Sequence, residues 1–275
     1  MNISIAIPYN VTEEATTDEE AVRKIGYIGR AAAMFRVRKI LIYTFRGDEP
    51  LRKAAFIKKN LEYLVTPPYL RKDLFGIDPD LRLAGLLQPL TLPVFGHRKS
   101  SPGIRDVRVG LVIRWEGYYS IVKVGEDKYV KVPRPYPIKS MILVSIDSMI
   151  SERFYRGHVV KGGSVYAGYT VDLIELKELV KLRNLIFTGK EGDSVINELG
   201  KLRGLRDEDV VVVFGSPRMG IDDILKGEGL GNVLKSSLFI NFVPNQGLVT
   251  IRTEEAIIAV LSILNVINAI PSDSK

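Results

Sequence analysis

The chain lacks cysteine and is poor in histidine, and these two absences exclude several kinds of chemistry. Its 275 residues include no Cys and only two His. Without thiols there can be no disulfide, no iron–sulfur or thiolate metal site and no cysteine nucleophile. His97 and His158 are far apart in the sequence, which leaves little material for a histidine metal site or a Ser-His-Asp triad. We therefore expect no bound metal.

Long apolar runs are also absent. The longest, at 256–270, is shorter than the ~20 residues that a membrane span needs. Ser262, Asn265 and Asn268 recur in it at a spacing of three, which places polar groups along one face of a helix. This pattern favours a buried or dimer-interface helix. The first eight residues, MNISIAIP, read as a short strand and have no features of a secretory signal, so we expect a cytoplasmic protein without a membrane segment.

An alternation of strands and helices occupies both ends of the chain. At the first end, apolar runs at 3–7 and 39–43 alternate with amphipathic stretches at 18–35 and 51–64. This βαβα order predicts a parallel sheet with helices on its faces. The second end resumes the pattern with predicted helices at 175–182 and 194–202, strands at 184–187, 210–214 and 238–242, and a final helix.

The middle of the chain, 91–164, has a different character. Short alternating runs at 107–114, 118–124 and 129–132, bounded by Pro and Gly, predict an all-β meander. This segment holds 13 of the 39 Lys and Arg residues but only 6 of the 32 Asp and Glu residues. The net charge of +7 therefore belongs to it, and the rest of the chain is neutral. We expect a discontinuous α/β domain at 1–90 and 165–275 that carries an inserted β domain at 91–164.

Aromatic residues are interleaved with cations on these short strands. Small β-barrels of the OB type bind nucleic acid with this combination, because cations neutralise phosphates and rings stack on bases. The alternative is that the rings are core residues and the cations only keep an edge-rich sheet soluble. The aromatic residues are Trp115, Tyr118, Tyr119, Tyr129, Tyr136, Phe154 and Tyr155, and the cations that we expect to contact RNA are Arg108, Arg114, Lys123 and Lys131.

Three Gly-containing turns, at 188–192, 215–220 and 243–247, each follow a predicted strand. Ligands bind at the carboxyl ends of parallel strands, and Gly lets the main chain approach them closely. The turns therefore predict a small-molecule pocket. Familiar nucleotide motifs are missing: Glu191 follows Gly189-Lys190 where a Walker loop needs Ser or Thr, and no G-x-S-x-G motif is present.

Several motifs carry a family resemblance. The segment 241–247, NFVPNQG, followed by 250–256, TIRTEEA, and an apolar helix, resembles the C-terminal signature of the SPOUT class of trefoil-knotted methyltransferases. The segments 66–72, TPPYLRK, and 80–90, DLRLAGLLQPL, resemble the branch of archaeal and eukaryotic RNA methyltransferases with an inserted OB-like domain. That branch often has Pro-His-His where this chain has Pro93-Val94-Phe95-Gly96-His97.

The resemblance implies a fold, a cofactor and partners. The fold is the SPOUT α/β-knot, with a parallel sheet and a C-terminal trefoil knot, which periodicity alone would not suggest. The implied cofactor is S-adenosyl-L-methionine, bound among three loops largely by main-chain atoms, and the implied partners are ribosomal or transfer RNA and a second copy of the chain. By position, the implied cofactor residues are Thr188, Gly189, Gly215, Ser216, Asn241, Pro244, Gln246, Gly247 and Thr250.

The motifs also suggest roles for residues on two helices. Arg30, in a Gly29-Arg30-Ala31 context, matches an arginine that such enzymes place near the target nucleotide, although a solvated or salt-bridged arginine is the alternative. Arg218 is a further candidate. We expect Thr253 to be the N-cap of the last helix, with acidic residues following it in the first turn.

The sequence thus predicts an S-adenosylmethionine-dependent RNA methyltransferase. The absence of a clear general base keeps open an alternative, a non-catalytic RNA-binding or assembly factor that retains the knotted fold. A nucleotide-binding enzyme of ordinary doubly wound topology is a more distant possibility.

Overall fold

The computed structural model describes residues 1–96, 102–161, 163 and 165–270; His97 and the predicted boundary at 164 lie outside this set. The strands are β1 (Asn2–Pro8), β2 (Lys39–Thr44), β3 (Val107–Glu116), β4 (Tyr119–Gly125), β5 (Lys128–Pro133), β6 (Met141–Met149), β7 (Phe154–Val159), β8 (Thr170–Glu175), β9 (Leu185–Ser194), β10 (Asp209–Val213) and β11 (Leu238–Asn241). The helices are α1 (Asp18–Met34), α2 (Pro50–Val65), α3 (Arg71–Leu74), α4 (Leu176–Leu179), α5 (Leu199–Gly204), α6 (Ile221–Gly227) and α7 (Thr253–Ala269).

The chain divides into two compact units. One, the sheet unit, comprises Met1–Leu64, Asp80–Gln88 and Tyr169–Lys275; the other, the barrel unit, comprises Val65–Pro79 and Pro89–Gly168. The sequence-based boundary at 91 therefore differs from the structural one, which groups 65–79 with the barrel. The reason is local bonding, because the Tyr69 hydroxyl donates to the Val109 carbonyl oxygen at 2.6 Å and Lys123 Nζ lies 2.6 Å from a carboxylate oxygen of Asp73.

The sheet unit is built on six parallel strands in the order β11-β9-β10-β1-β2-β8. Strands β1 and β2 are mostly apolar, as expected of strands in a parallel sheet that is buried on both faces. Nearly all of their residues are buried. The predicted parallel α/β sheet is confirmed. Strand β8, which the sequence did not indicate, forms one edge, and α4 is shorter than the helix expected at 175–182.

The barrel unit is a closed barrel in the order β3-β4-β5-β7-β6. All neighbouring strands are antiparallel except β5 and β7, which are parallel. This five-stranded arrangement is consistent with the predicted OB-like barrel. Its core is filled mainly by small β-branched side chains, among them Val112, Val122, Val130, Val144 and Ile146.

A bilayer-spanning helix is absent from the described part of the chain.

Candidate functional site

A cavity of about 290 Å³ lies in the sheet unit, beside the middle of β9 and the carboxyl ends of β10 and β11. This volume is at the lower end of the ~300–1,000 Å³ typical of small-molecule sites. Its walls come from the three Gly-containing segments and from the first turns of α7. Of the nine positions implied as cofactor contacts, Thr188, Gly189, Gly215, Ser216, Asn241, Gln246 and Thr250 line the cavity, whereas Pro244 and Gly247 do not.

The first segment, 188–192, is a bulge within a strand. We expected β9 to end at 187, but it continues to Ser194. Its pairing with β11 jumps from Phe187 opposite Phe239 to Asp193 opposite Ile240, so the five intervening residues leave the ladder. A Cβ on Gly192 would lie 2.7 Å from the Ile240 nitrogen, so only glycine fits where the ladder resumes. The bulge is therefore held at both ends by paired strand.

The second segment, 215–220, is a tight loop whose main chain forms a wall of the cavity. A Cβ on Gly215 would lie 2.8 Å from the Ile221 nitrogen and 2.9 Å from the Met219 carbonyl oxygen. Ser216 closes the loop, because its amide donates to the Met219 carbonyl at 2.9 Å and its hydroxyl accepts from the Met219 amide at 3.0 Å. Only glycine therefore fits at position 215, because the loop folds back onto its own main chain there.

The third segment follows β11 and is held by two side-chain amides. Asn241 Nδ2 donates to the Lys190 carbonyl oxygen at 3.0 Å, and Asn241 Oδ1 accepts from the Val243 amide at 2.9 Å. Gln246 Nε2 donates to the Leu248 carbonyl oxygen at 2.7 Å. Asn241 thus joins the bulge in β9 to the loop after β11 and positions the two walls relative to each other.

Helix α7 contributes its first turns to the cavity. The expectation that Thr253 caps this helix is wrong: Arg252 is the N-cap and Thr253 is the first helical residue. The Arg252 amide donates to a Glu255 carboxylate oxygen at 3.0 Å, as the N3 glutamate of a capping box does. The buried Thr253 hydroxyl instead donates to the Gly215 carbonyl oxygen at 3.4 Å. The helix is thereby tied to the second loop.

A buried lysine also fixes the start of α7. Lys24 on α1 is only 5% exposed, pairs with Glu14, and has its Nζ 3.2 Å from a Glu254 carboxylate oxygen. A buried cation of this kind is stable only when it is paired. We did not single out Lys24 or the Thr253–Gly215 contact from the sequence, because neither forms a recognisable motif.

The charged side chains that line the cavity are Lys190, Arg218 and Asp223. Arg30 is not among the lining residues; it lies on the exposed side of α1. Within the described residues, no group of three or more His, Asp or Glu side chains could hold a metal ion.

The four barrel cations expected to contact RNA differ in accessibility. Arg108 is 3% exposed, and its Nη2 lies 3.2 Å from a carboxylate oxygen of Asp106. A Cβ on Gly96 would lie 2.6 Å from the Arg108 guanidinium carbon, so this cation is packed inside the unit. The expectation that it meets a phosphate is therefore corrected, because the folded protein covers it. Lys123, paired with Asp73, is 19% exposed.

Arg114 and Lys131 share one carboxylate. Arg114 Nη2 lies 2.7 Å and Lys131 Nζ 2.9 Å from the two oxygens of Glu116. These hydrogen bonds, that from Lys131 first, lower the pKa of Glu116 below its ordinary value. Both cations remain partly exposed and are available to an anion.

Comparison with known proteins assigns the chain to a family. A family model described as "Putative RNA methyltransferase" matches residues 2–264, almost the whole length. The chain belongs to this RNA methyltransferase family. The resemblance drawn from the motifs is thereby confirmed, as is the predicted enzyme class, a methyltransferase that acts on RNA.

Relatives in the RNA methyltransferase family cover nearly the whole chain. An uncharacterized protein of Haloarcula marismortui is 30% identical over 96% of this chain and 99% of its own. A Homo sapiens protein named 28S rRNA (uridine-N(3))-methyltransferase is 28% identical over 95% of this chain and 77% of its own. Among solved structures, a putative methylase family protein from Neisseria gonorrhoeae covers 100% of this chain and 84% of its own at 11% identity and a TM-score of 0.38.

Proposed function

We propose that this RNA methyltransferase uses S-adenosyl-L-methionine, bound in the cavity beside β9, β10 and β11, to methylate ribosomal RNA engaged by the barrel unit. The observation that carries the proposal is the convergence of three separate loops on one cavity, with seven of the nine implied cofactor positions in its lining. The ribosomal substrate is supported by the names of the human, mouse and fly relatives, all 28S rRNA (uridine-N(3))-methyltransferases.

The residues of the cavity fit this cofactor. Gly215 lines the cavity without a side chain, in a loop that packs closely against its own main chain. Lys190 and Arg218 offer positive charge to a carboxylate, and Asp223 offers negative charge to cationic groups. When bound, S-adenosylmethionine supplies a methyl group on a sulfonium that a nucleophile can displace. The protein's part is alignment, and the hydrogen bonds of Asn241 and Thr253 keep the cavity walls in place.

The barrel unit supplies the RNA contacts in this proposal. We assign phosphate binding to Arg114 and Lys131, which are partly exposed, and give Lys123 a smaller part because it is paired with Asp73. Arg30 remains the proposed contact near the target nucleotide, since it lies exposed on α1.

We further propose the SPOUT knot in the tail and a homodimer. The dimer is supported by apolar side chains exposed on and before α7, where water would otherwise contact them. Val249 is 88%, Leu248 64% and Val266 59% exposed. Burial of these residues against a second copy would remove this apolar surface from water.

Two measurements test the function. Isothermal titration calorimetry should detect S-adenosylmethionine binding to the purified chain, and no binding would overturn the cofactor proposal. RNA from a strain lacking the gene, incubated with the protein and labelled cofactor, should then gain 3-methyluridine in ribosomal RNA by nucleoside mass spectrometry. Cofactor binding without methyl transfer would favour a non-catalytic RNA-binding factor.

A further inference from the structure

The outer surface of the β5–β7 pair carries a compact set of rings and cations. The parallel register places Tyr129 opposite Phe154 and Lys131 opposite Arg156. The residues between them, Val130 and Tyr155, point into the barrel core. Because side chains alternate along a strand, the two rings and the two cations share the outer face. We call these four residues the ring–cation face.

The two rings are stacked on each other. Their centroids are 5.4 Å apart with an interplanar angle of 29°. Both side chains are only partly buried, so ring surface remains in contact with solvent. Lys131 Nζ lies 5.7 Å from the centroid of the Phe154 ring, within the range of a cation–π contact. Core aromatic residues of a barrel would instead face the apolar interior, as Tyr155 does.

The ring–cation face carries more positive than negative charge. The Arg156 side chain is exposed, and among the residues that the structure describes its guanidinium has no ion-pair or hydrogen-bond partner. Lys131 shares the Glu116 carboxylate with Arg114. Lys131, Arg156 and the neighbouring Arg114 therefore bring three positive charges against the single negative charge of Glu116, in the segment that carries the net charge of the chain.

We infer that the ring–cation face binds an unpaired stretch of the RNA substrate, with a base stacked on the Tyr129–Phe154 pair and neighbouring phosphates on Lys131 and Arg156. The ring pair and the cation pair are two residues apart along the strands, roughly 6.6 Å. Bases inside a duplex are already stacked on each other, so only an unpaired base can use the rings. This inference rests on the proposed RNA binding by the barrel.

Fluorescence anisotropy with the full chain tests the inference. The probes are a short labelled oligouridine and a labelled hairpin of the same length whose bases are paired. The wild-type protein should bind the oligouridine more tightly. The double variant Tyr129→Leu, Phe154→Leu keeps apolar cover over the barrel and should bind it about 10-fold more weakly, as loss of one stacked base predicts.

A second pair of variants separates the cation contribution from folding. Arg156→Gln should flatten the slope of log affinity against log salt by about 0.7, the contribution of one phosphate contact on a single strand. Lys139→Gln removes the same charge from an exposed barrel residue outside the ring–cation face and should change the slope less. S-adenosylmethionine affinity and the thermal midpoint, measured on every variant, should stay at wild-type values.

The outcomes distinguish this inference from the proposed function. Tighter binding of the hairpin than of the oligouridine would overturn the inference. The inference would also be overturned if the leucine variant bound oligouridine as the wild type does and Arg156→Gln left the salt slope unchanged. In both cases RNA binding by the chain would still stand. If the wild-type protein binds neither probe, the proposed role of the barrel in RNA binding fails as well. Weaker oligouridine binding by the variants, with unaltered cofactor affinity, supports both this inference and the proposed role of the barrel in RNA binding.

Discussion

The two units use charge in opposite ways. The cavity of the sheet unit is lined by three loops that include three charged side chains, and Lys24, which pairs with Glu254 of α7, is buried. In the barrel unit, most cations other than the buried Arg108 are at least partly exposed, and Arg156 has no partner among the described residues. A cavity shaped by backbone is sensitive to added atoms, whereas a charged surface is sensitive to lost charge. Substitutions in the two units should therefore fail in different assays.

The largest effect should come from the buried ion pair of the sheet unit. Lys24→Ala leaves Glu14 and Glu254 without their buried cation, so we expect a loss of about 3–5 kcal/mol in the free energy of unfolding, measured by urea denaturation. The matched control is Lys226→Ala, which removes an exposed pair with Asp222 and should change stability little. Equal effects of the two substitutions would show that burial of Lys24 does not set the contribution of its ion pairs to stability.

The second largest effect is expected from adding one methyl group at Gly215. Gly215→Ala places a Cβ against the Ile221 nitrogen and the Met219 carbonyl oxygen, so the loop must move. We expect methyl transfer to fall about 100-fold, as displacement of a positioned loop predicts, with RNA affinity unchanged. Gly227→Ala is the control, because no atom lies within 4 Å of its added Cβ. Comparable rates for the two alanine variants would show that the close packing of the loop at Gly215 is not needed for methyl transfer.

A smaller effect is expected from removing one surface cation of the barrel. Lys131→Gln should make the salt dependence of binding to unpaired RNA shallower by about 0.7 in slope, with S-adenosylmethionine affinity unaltered. Lys123→Gln should do less, because its ammonium is engaged by Asp73. Anisotropy titrations at several salt concentrations measure both slopes. A parallel loss of cofactor affinity would show that RNA binding and cofactor binding are not separated between the two units.

The smallest effect concerns the carboxylate that Arg114 and Lys131 share. Glu116→Gln releases both cations, so RNA should bind about twofold more tightly. Hydrogen bonds from Lys131 and Arg114 lower the pKa of Glu116 from 4.5, so the wild-type carboxylate stays charged at neutral and mildly acidic pH. The ratio of the two affinities, measured by anisotropy, should therefore be constant there. A ratio that changes with pH in this range would point to another titrating group.

Local patterns were sufficient for several elements of the sheet unit. The amphipathic stretch at 18–35 corresponds to α1 (Asp18–Met34), and that at 51–64 to α2 (Pro50–Val65). Their boundaries could be predicted because helical periodicity is a property of neighbouring residues. The apolar run at 39–43 likewise corresponds to β2 (Lys39–Thr44).

Features that depend on distant partners were not predictable. Strand β8 forms because β2 offers it an open edge, and the β9 bulge exists only relative to β11. The burial of Arg108 depends on Asp106 and on the close approach of Gly96, which no charge count can show. Most residues that line the cavity were named from their positions in the sequence. The contacts of Lys24 and Thr253 were missed, because their partners are distant in the sequence.

The order of strands has a consequence for synthesis on the ribosome. Strand β1 lies between β10 and β2, and the side chains of Asn2 and Asp209 bond at 3.0 Å across 207 residues of sequence. Until β10 has been made, one edge of β1 therefore stays unpaired, while all the barrel strands emerge and can fold first. An open apolar edge of this kind invites aggregation. For the period between its first strand and its tenth, the nascent chain therefore presents an edge at which β1 could pair with another chain.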